Sequence, residues 1–274
     1  MLLSVPPYQK LIGTVLKSTL PAPAYRAIHT YVARRRSNLW LSSVGAFSLA
    51  QEAASRFNYT VQSGPFKGLK YSHRAILTRH ATPTLLGTYE RQLHPFLDAA
   101  NHAEIIIDIG TAEGYYAVGL ARMTARPVVT FDCNPGERKI CREMAKANGV
   151  ADRISIRKWC DGDTLINLTR NRKAFIFCDI DGGELDLFTP QVISSIRHCD
   201  LIIELHGDTA SENREFINRF RDIHNDLMVI DHPDEPSGAE MLHFLGADAP
   251  RMATEYRSFQ QWLVLQSERT AHFS

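Results

Sequence analysis

The sequence has few of the features that would mark a membrane-spanning, zinc-knuckle or secreted protein. Its apolar runs stay below the ~18 residues that a membrane-spanning helix needs. Its five cysteines include no Cys-x-x-Cys pair, which disfavours a zinc knuckle or a dithiol redox motif. Pro6, Pro7 and Lys10 interrupt the start of the chain, where a secretory signal has its apolar core. We therefore predict a cytoplasmic protein whose thiols are reduced and mostly buried.

Acidic residues are nearly absent from the first third of the chain. Residues 1–89 contain eleven Lys or Arg and one acid, Glu52, whereas residues 90–274 contain 20 basic and 29 acidic residues. This asymmetry predicts an anionic partner, such as a membrane surface, an acidic substrate or nucleic acid. The alternative is that the basic segment packs on the acidic remainder of its own chain. An organelle transit peptide in about the first 36 residues also fits an arginine-rich, acid-poor start.

The chain before residue 97 is predicted to form two segments. Residues 1–58 form a basic helical N-terminal extension, with short helices that carry apolar side chains on one face. We favour packing of this face on the rest of the protein over binding to an anionic membrane surface. Residues 59–96 form a lead-in, which starts with a small β-hairpin over 59–72 and continues with a helix over 84–99.

From residue 97 to residue 274 the pattern changes to alternating strands and helices. Continuous apolar runs predict strands at 104–110, 127–132, 153–159, 174–181 and 200–206, with two more near 227–231 and 261–267. Helices are predicted at 114–123, 134–149, 184–197 and 211–222. This alternation indicates a Rossmann-like α/β fold, with a mostly parallel seven-stranded sheet and helices on both faces.

A glycine turn after the first predicted strand is the first candidate ligand site. A dinucleotide motif G-x-G-x-x-G that began at Gly110 would need glycines at the positions of Ala112 and Tyr115. A nicotinamide dehydrogenase is therefore disfavoured. The spacing from Asp108 through Gly110 to Gly114 is D-x-G-x-x-x-G, which is the pattern of class I methyltransferases that bind S-adenosylmethionine (SAM).

The charge of SAM fits the side chains around this turn. SAM carries a sulfonium and an α-ammonium group, and both favour nearby carboxylates such as Asp108 and Glu113. Tyr115, directly after the turn, is predicted to stack near the cofactor, whereas Tyr116 is predicted to lie in the core. Glu90 either borders the cofactor or, as we favour, lies on a helix surface.

The ends of the second and third predicted strands supply further candidates for cofactor binding. Asp132, followed by Cys133, ends the second strand, where a carboxylate can accept both ribose hydroxyls of an adenosine. Charge-assisted hydrogen bonds of this kind contribute ~1.5–3 kcal/mol each. Asp161 and Gly162, after Cys160, are predicted to contact the adenine ring. The alternatives are a surface aspartate at the first place and a surface turn at the second.

Four polar side chains follow the fourth and fifth predicted strands. Asp179, Asp181, Glu204 and His206 are expected to converge, because the carboxyl ends of parallel strands face the ligand in an open α/β sheet. In one interpretation His206 or Asp181 is a general base for an alcohol. In another, the three carboxylates, with or without the histidine, hold a divalent cation such as magnesium. In a third they only orient one another and the SAM. We assign Asp181, His206 and Glu204 to catalysis and Asp179 to cofactor binding, and leave metal ligands unassigned.

Three segments together resemble the FkbM-like family of class I SAM-dependent methyltransferases. They are DIGTAEGYY (108–116), FDCNP (131–135) and CDIDGGELDLF (178–188), and Glu204-Leu205-His206 is similar to the end of the family's fifth strand. The resemblance covers about residues 100–206. The chain departs from the family at Asp132 and Asp181, where glutamate is usual, and at Cys133, where proline is common.

The resemblance implies a class I methyltransferase fold, SAM as the cofactor, and O-methylation of a small-molecule or sugar-bearing acceptor. Two other functions stay open. One is an inactive SAM-binding or partner-binding module, and the other is an RNA ribose methyltransferase that uses the basic N-terminus as a phosphate contact. A nucleic-acid partner is disfavoured, since the fourth strand is not followed by the Asn/Asp-Pro-Pro-Tyr type of motif of base-N methylation.

Overall fold

The computed structural model of this chain describes residues 42–43, 45–76, 80–207, 210–224, 226–232, 236–255 and 260–267. The chain divides into two compact units, Met1–Gly45 and Ala46–Ser274, and nearly all described residues belong to the second unit. The helices predicted before residue 42 therefore lie outside the described residues. The predicted segment boundaries after residues 58 and 96 stay predictions.

Seven strands form one sheet in the described part of the chain. They are β1 (Ile105–Ile109), β2 (Val128–Phe131), β3 (Ile154–Arg157), β4 (Ala174–Cys178), β5 (Asp200–Leu205), β6 (Asp226–Asp231) and β7 (Gln261–Gln266). Their order is β3-β2-β1-β4-β5-β7-β6. The pairs among β1 to β5 are parallel, whereas β7 is antiparallel to both β5 and β6. The predicted mostly parallel seven-stranded sheet is confirmed.

The helices alternate with these strands. They are α1 (Ala46–Arg56), α2 (Ala81–Leu86), α3 (Tyr115–Thr124), α4 (Pro135–Ala147), α5 (Gly162–Thr169), α6 (Glu184–Leu187), α7 (Pro190–Ser195), α8 (Ala210–Arg221) and α9 (Ala249–Met252), with 3-10 helices at Arg91–His102 and Ala239–Asp248. The predicted start of α4 is confirmed, because the Asn134 side chain accepts a hydrogen bond from the Gly136 N–H and proline follows it.

The central strands are buried on both faces, which explains their continuous apolar sequences. Every residue of β1, β4 and β5 is buried. Ile105, Ile107 and Ile109 point into a core that they share with side chains of α5, α6, α7 and α8. Because side chains alternate along a strand, Ile106 and Asp108 face the other side of the sheet, on which α3 packs.

Two of the predicted helices are each divided into two in the structure, because a residue inside the predicted range ends the first helix. The helix predicted over 184–197 is two short helices, α6 and α7, since Thr189 caps a new helix and Pro190 occupies its first position. The helix predicted over 84–99 is α2 followed by a 3-10 helix, since Gly87 adopts a left-handed conformation and ends α2.

Two further features of local structure differ from the predictions. The hairpin predicted over 59–72 is present in a short form, with one antiparallel bridge between Thr60 and Lys70 and hydrogen bonds from the Val61 N–H to the Leu69 carbonyl and from the Tyr71 N–H to the Tyr59 carbonyl. The third strand ends at Arg157, and the helix α5, which the sequence patterns did not indicate, begins soon after it. That helix is stabilised by Asp161, whose carboxylate accepts the Thr164 N–H at its start.

The strand order places the candidate residues at one edge of the sheet. β2 lies on one side of β1 and β4 on the other, so the winding of the chain reverses between β1 and β4. In open α/β sheets ligands bind outside the carboxyl ends of the strands at such a point. We call this side of the sheet the carboxyl edge. Within the described residues no helix is long and apolar enough to cross a membrane.

Candidate active site

The glycine turn lies where β1 and β4 end side by side. Gly110 has φ +99°, and a Cβ atom there would lie 1.7 Å from the carbonyl oxygen of Asp179. The N–H groups of Gly110 and Thr111 both donate to the Phe131 carbonyl, at 2.8 and 3.0 Å. The turn is thus fixed to β2 on one side and in close contact with β4 on the other, and only glycine fits there.

Asp132 is held beside this turn by backbone groups. One carboxylate oxygen accepts the Ala112 N–H at 3.0 Å, and the other accepts the Asn134 N–H at 2.7 Å. The side chain is half-buried at the carboxyl end of β2. The structure therefore brings together the glycine turn and the carboxylate that the sequence predicts to bind ribose.

Asp108 lies beneath the turn. It is buried and accepts a hydrogen bond from the Thr130 hydroxyl on β2. Burial raises the pKa of Asp108 to about 6, against hydrogen bonds from Thr130 and Thr111 that lower it. At neutral pH the carboxylate is therefore mostly ionised, and it adds negative charge behind the turn.

Glu113 and Tyr115 are also buried, next to an aromatic cluster. The Tyr71 hydroxyl donates to Glu113 at 3.4 Å. Tyr115 packs against the rings of Phe66 and Tyr89, with centroids 5.0 and 5.6 Å away. Its side chain is thus enclosed by rings, and its buried hydroxyl has no hydrogen-bond partner among the described residues.

Tyr116 lies in the core, as predicted, and it explains the position of Glu90. Its ring stacks on Phe177 of β4 at 3.8 Å, and its hydroxyl donates to the Glu90 carboxylate. The Glu90 N–H donates to Glu255 at 2.8 Å, and Glu90 is buried. The favoured prediction that Glu90 lies on a helix surface was therefore wrong, because contacts with α3 and with a residue 165 positions away cover it.

His206 lies at the centre of a carboxylate cluster at the ends of β4 and β5. Its Nε2 is 3.3 Å from an oxygen of Asp179 and 3.8 Å from one of Glu204. Its Nδ1 is 3.1 Å from an oxygen of Glu184. The structure thus brings together all four residues that the sequence predicts to converge here, since Asp181 also lies near Asp179 and His206.

Glu184 is the member of this cluster that sequence reasoning missed. It is buried, and the same oxygen that faces His206 accepts the Ile180 N–H at 2.9 Å. Glu184 therefore links the loop after β4 to the end of β5. The signal was present, since Glu184 stands in the run CDIDGGELDLF that carries the family resemblance.

The carboxylates control the protonation of His206. Burial lowers the pKa of this imidazole, but hydrogen bonds to Asp179 and Glu184 and the charges of both outweigh it and hold the pKa well above its usual range. The carboxylates therefore favour the protonated form of the ring, which weakens His206 as a base for an alcohol. The general-base interpretation accordingly favours Asp181.

Asp181 is exposed at the carboxyl edge. It has a left-handed backbone with φ +52°, and Gly182 follows with φ +94°. Asp179, Asp181 and His206 each offer one ligand atom, and these atoms lie within 4.8 Å of one another. The loop after β4 thus places a carboxylate where it can act as a base or, with its two neighbours, bind a divalent cation.

The remaining predicted cofactor residues flank the ends of β2 and β3. Cys133 is exposed beside Asp132, and Gly114, with φ +103°, begins α3. Cys160 is buried, and burial raises the pKa of its thiol to about 12. Asp161 and Gly162 form the start of α5, where the Asp161 carboxylate caps the helix. Adenine contact by these last residues stays a prediction.

The sheet order, the glycine turn after β1 and the acid at the end of β2 define the Rossmann-like class of α/β fold. No protein-family model matches the chain, and no curated protein matches it.

Several solved structures that match this chain are methyltransferases by name. The O-methyltransferase TomG from Streptomyces achromogenes, in complex with SAM, is 15% identical with a TM-score of 0.43, and the match covers 86% of this chain and 99% of TomG. An O-methyltransferase from Bacillus cereus with bound SAH is 15% identical with a TM-score of 0.40, covering 84% and 96%. Precorrin-6y C5,15-methyltransferase from Geobacter metallireducens GS-15 is 12% identical with a TM-score of 0.42, covering 64% and 89%. Likeness of this degree does not assign an activity to this chain.

Proposed function

We propose that this protein is a SAM-dependent methyltransferase that methylates a hydroxyl group of a small-molecule or sugar-bearing acceptor. The observation that carries the proposal is the division of the carboxyl edge into two halves. The ends of β1 and β2 supply the glycine turn and Asp132. The ends of β4 and β5 supply Asp179, Asp181, Glu204 and His206. One half suits a nucleoside cofactor, and the other suits proton removal from an acceptor.

The residues of the first half fit SAM. Gly110 lets the turn after β1 lie tightly against the end of β4, and the Asp132 carboxylate is oriented beside this turn by the Ala112 N–H. Asp108 and Glu113 add two buried carboxyl groups behind the turn, which suits the positive charges of a sulfonium and an ammonium.

The residues of the second half fit a hydroxyl acceptor. When bound, SAM supplies a methyl group on a sulfonium sulfur, and the chain has to align an acceptor oxygen with that methyl group and remove its proton. Asp181, an exposed carboxylate, is the proposed base. His206, held by Asp179 and Glu184, orients the carboxylates around it.

A divalent cation is the alternative chemistry for the same half. Asp179, Asp181 and His206 are close enough to share one ion, which would acidify the acceptor hydroxyl. Carboxylate oxygens suit magnesium, whereas an imidazole nitrogen also suits transition metals. Addition of magnesium to the binding and activity measurements distinguishes the two, because a base such as Asp181 needs no added ion.

Isothermal titration of the purified full chain with SAM and with SAH tests the cofactor. We expect both to bind at one site, since SAH keeps the adenosine and amino-acid parts. An acceptor screen with labelled SAM follows, using alcohols and sugars first. If a folded sample binds neither compound, the inactive partner-binding module becomes the better description. Transfer of label to RNA ribose, but not to small alcohols, would favour the RNA methyltransferase instead.

Asp132→Ala is expected to weaken SAH binding at least tenfold. A carboxylate that accepts two ribose hydroxyls contributes ~1.5–3 kcal/mol per charge-assisted bond, and alanine removes both bonds. The affinity is measured by titration calorimetry, with a thermal melt of the same sample to show that the fold is intact.

The control for this variant is Asp152→Ala, which removes an exposed carboxylate from the turn before β3. It should bind SAH as the wild type does. Unchanged affinity in Asp132→Ala would remove Asp132 from the ribose site. A large fall in melting temperature would instead show that its bonds to Ala112 and Asn134 are needed for the fold.

A further inference from the structure

One edge of the sheet carries a concentration of positive charge that the proposed activity does not use. Between residues 138 and 158 seven of the nine charged residues are basic. Six of these seven are exposed. We call them the basic edge: Lys139, Arg142, Lys146, Arg153, Arg157 and Lys158. They belong to α4, to β3 and to the turns beside β3.

These residues lie together because of the strand order. β3 is the outer strand next to β2 and ends the sheet on that side. α4 connects β2 to β3 and packs close to β3. The cations of α4 lie on one face of this outer strand, whereas Arg157, which pairs with Phe131 and lies over its ring, belongs to the other face, so positive charge lies on both sides of the end of the sheet.

The basic edge is not neutralised locally. Within the described ranges, none of its six side chains forms a salt bridge, and the nearby Glu143 pairs with Arg74 at 3.8 Å. The sequence after the basic edge is acidic instead. Residues 159–274 contain 10 basic and 20 acidic residues. Charge is thus uneven along the sequence, and an exposed cluster of cations without salt bridges favours an anionic partner.

An exposed tryptophan adjoins this flank. Trp159 follows Lys158 directly, and 68% of its surface is exposed. The loop around it is fixed, because Cys160 is buried and Asp161 caps α5. Indole side chains favour the boundary between lipid and water.

We propose that the basic edge and Trp159 dock this protein on an anionic lipid surface. The cations would contact headgroup phosphates and carboxylates, with the indole at the lipid boundary.

A single-stranded nucleic acid is the weaker fit, because Trp159 is the one aromatic residue among the exposed large hydrophobic residues of the described chain, and successive bases need successive rings. Trp159 follows the carboxyl end of β3, so the docked flank would include the corner where it meets the carboxyl edge. The proposal does not depend on methyl transfer.

Co-sedimentation with vesicles tests the proposal on the full chain. We expect binding to vesicles of phosphatidylcholine mixed with phosphatidylserine, little binding to phosphatidylcholine alone, and weakening by salt. The variant Lys139→Glu/Arg142→Glu/Lys146→Glu should lose affinity by a factor on the order of a hundred, because each cation near an anionic surface contributes about fivefold. Circular dichroism of each variant checks its fold.

A matched control makes the same change in net charge elsewhere. Arg170→Glu/Arg172→Glu/Arg214→Glu alters three exposed arginines outside the basic edge, and it should bind as the wild type does. Equal losses in the two triple variants would show a net-charge effect and overturn the proposal.

Two further measurements locate the contact. In a Trp40→Phe background, brominated lipid chains should quench Trp159 fluorescence, and a further Trp159→Phe change should remove that quenching, since the remaining Trp262 is fully buried. The proposal is wrong if Arg34→Glu/Arg35→Glu/Arg36→Glu abolishes binding while the α4 variant keeps it. It is also wrong if the chain binds single-stranded RNA through the basic edge but binds neither kind of vesicle.

Discussion

Gly110→Ala is expected to lower the free energy of unfolding by more than about 3 kcal/mol and to abolish SAH binding. The backbone at this position has φ +99°, where an alanine is strained, and the new methyl group would lie 1.7 Å from the Asp179 carbonyl oxygen. That oxygen belongs to the backbone, so the ends of β1 and β4 would have to separate. Urea denaturation measures the stability, and calorimetry measures the binding.

Gly149→Ala is the matched control for this variant. Gly149 also has a left-handed backbone, with φ +67°, but nothing lies within 4 Å of the added Cβ atom. The expected loss is only the conformational strain, about 1–2 kcal/mol, and SAH binding should persist. Equal losses in the two variants would mean that the contact between β1 and β4 contributes nothing beyond strain.

Asp181→Asn is expected to lower turnover by ~10²–10⁴-fold, the usual contribution of a positioned general base, while leaving SAH affinity unchanged. Asparagine keeps the shape of the side chain but cannot take up a proton at neutral pH. Asp181 is exposed and belongs to the loop after β4, and it forms no part of the turn after β1 or of the end of β2. Turnover is measured with the acceptor found by screening, and affinity by calorimetry.

Asp186→Asn serves as the control, since it removes an exposed carboxylate from the neighbouring helix α6. It should retain wild-type turnover. Full activity in Asp181→Asn would exclude that residue from the mechanism. If the wild type binds magnesium in calorimetry and Asp181→Asn does not, the cation interpretation of the second half is the better one.

The strands were predictable from the sequence because their burial on both faces requires unbroken apolar runs. IIIDI, AFIFC and DLIIEL are such runs, and the structure places β1, β4 and β5 within a few residues of the predicted limits. The position of β7 between β5 and β6 could not be predicted, since strand pairing over long separations leaves no local signal.

Helix limits and turns were less predictable because short breakers decide them. The Thr189-Pro190 pair divides a run that otherwise has helical spacing, and Asp161 starts a helix in a segment that resembles a surface turn. In both places one side chain bonded to a backbone N–H determines the outcome.

The site was predictable where residues follow strand ends, and not where burial depends on distant contacts. Asp179 and His206 were placed together correctly, since parallel strands end at a common edge. Glu184 was missed because it lies on a helix and not at a strand end. From that helix its carboxylate accepts the Ile180 N–H and reaches the cluster. Glu90 was misplaced because its burial arises from Tyr116 and Glu255, which no local pattern indicates.

The antiparallel β7 sets the order in which the chain can be completed during synthesis. β5 lacks its outer neighbour, and β6 has no partner among the described strands, until β7 inserts between them. A ribosome-bound chain that stops before residue 261 therefore exposes two open strand edges. The part of the sheet that carries Glu204 and His206 is consequently the last to close, and a nascent chain at that stage is prone to aggregate and to bind chaperones.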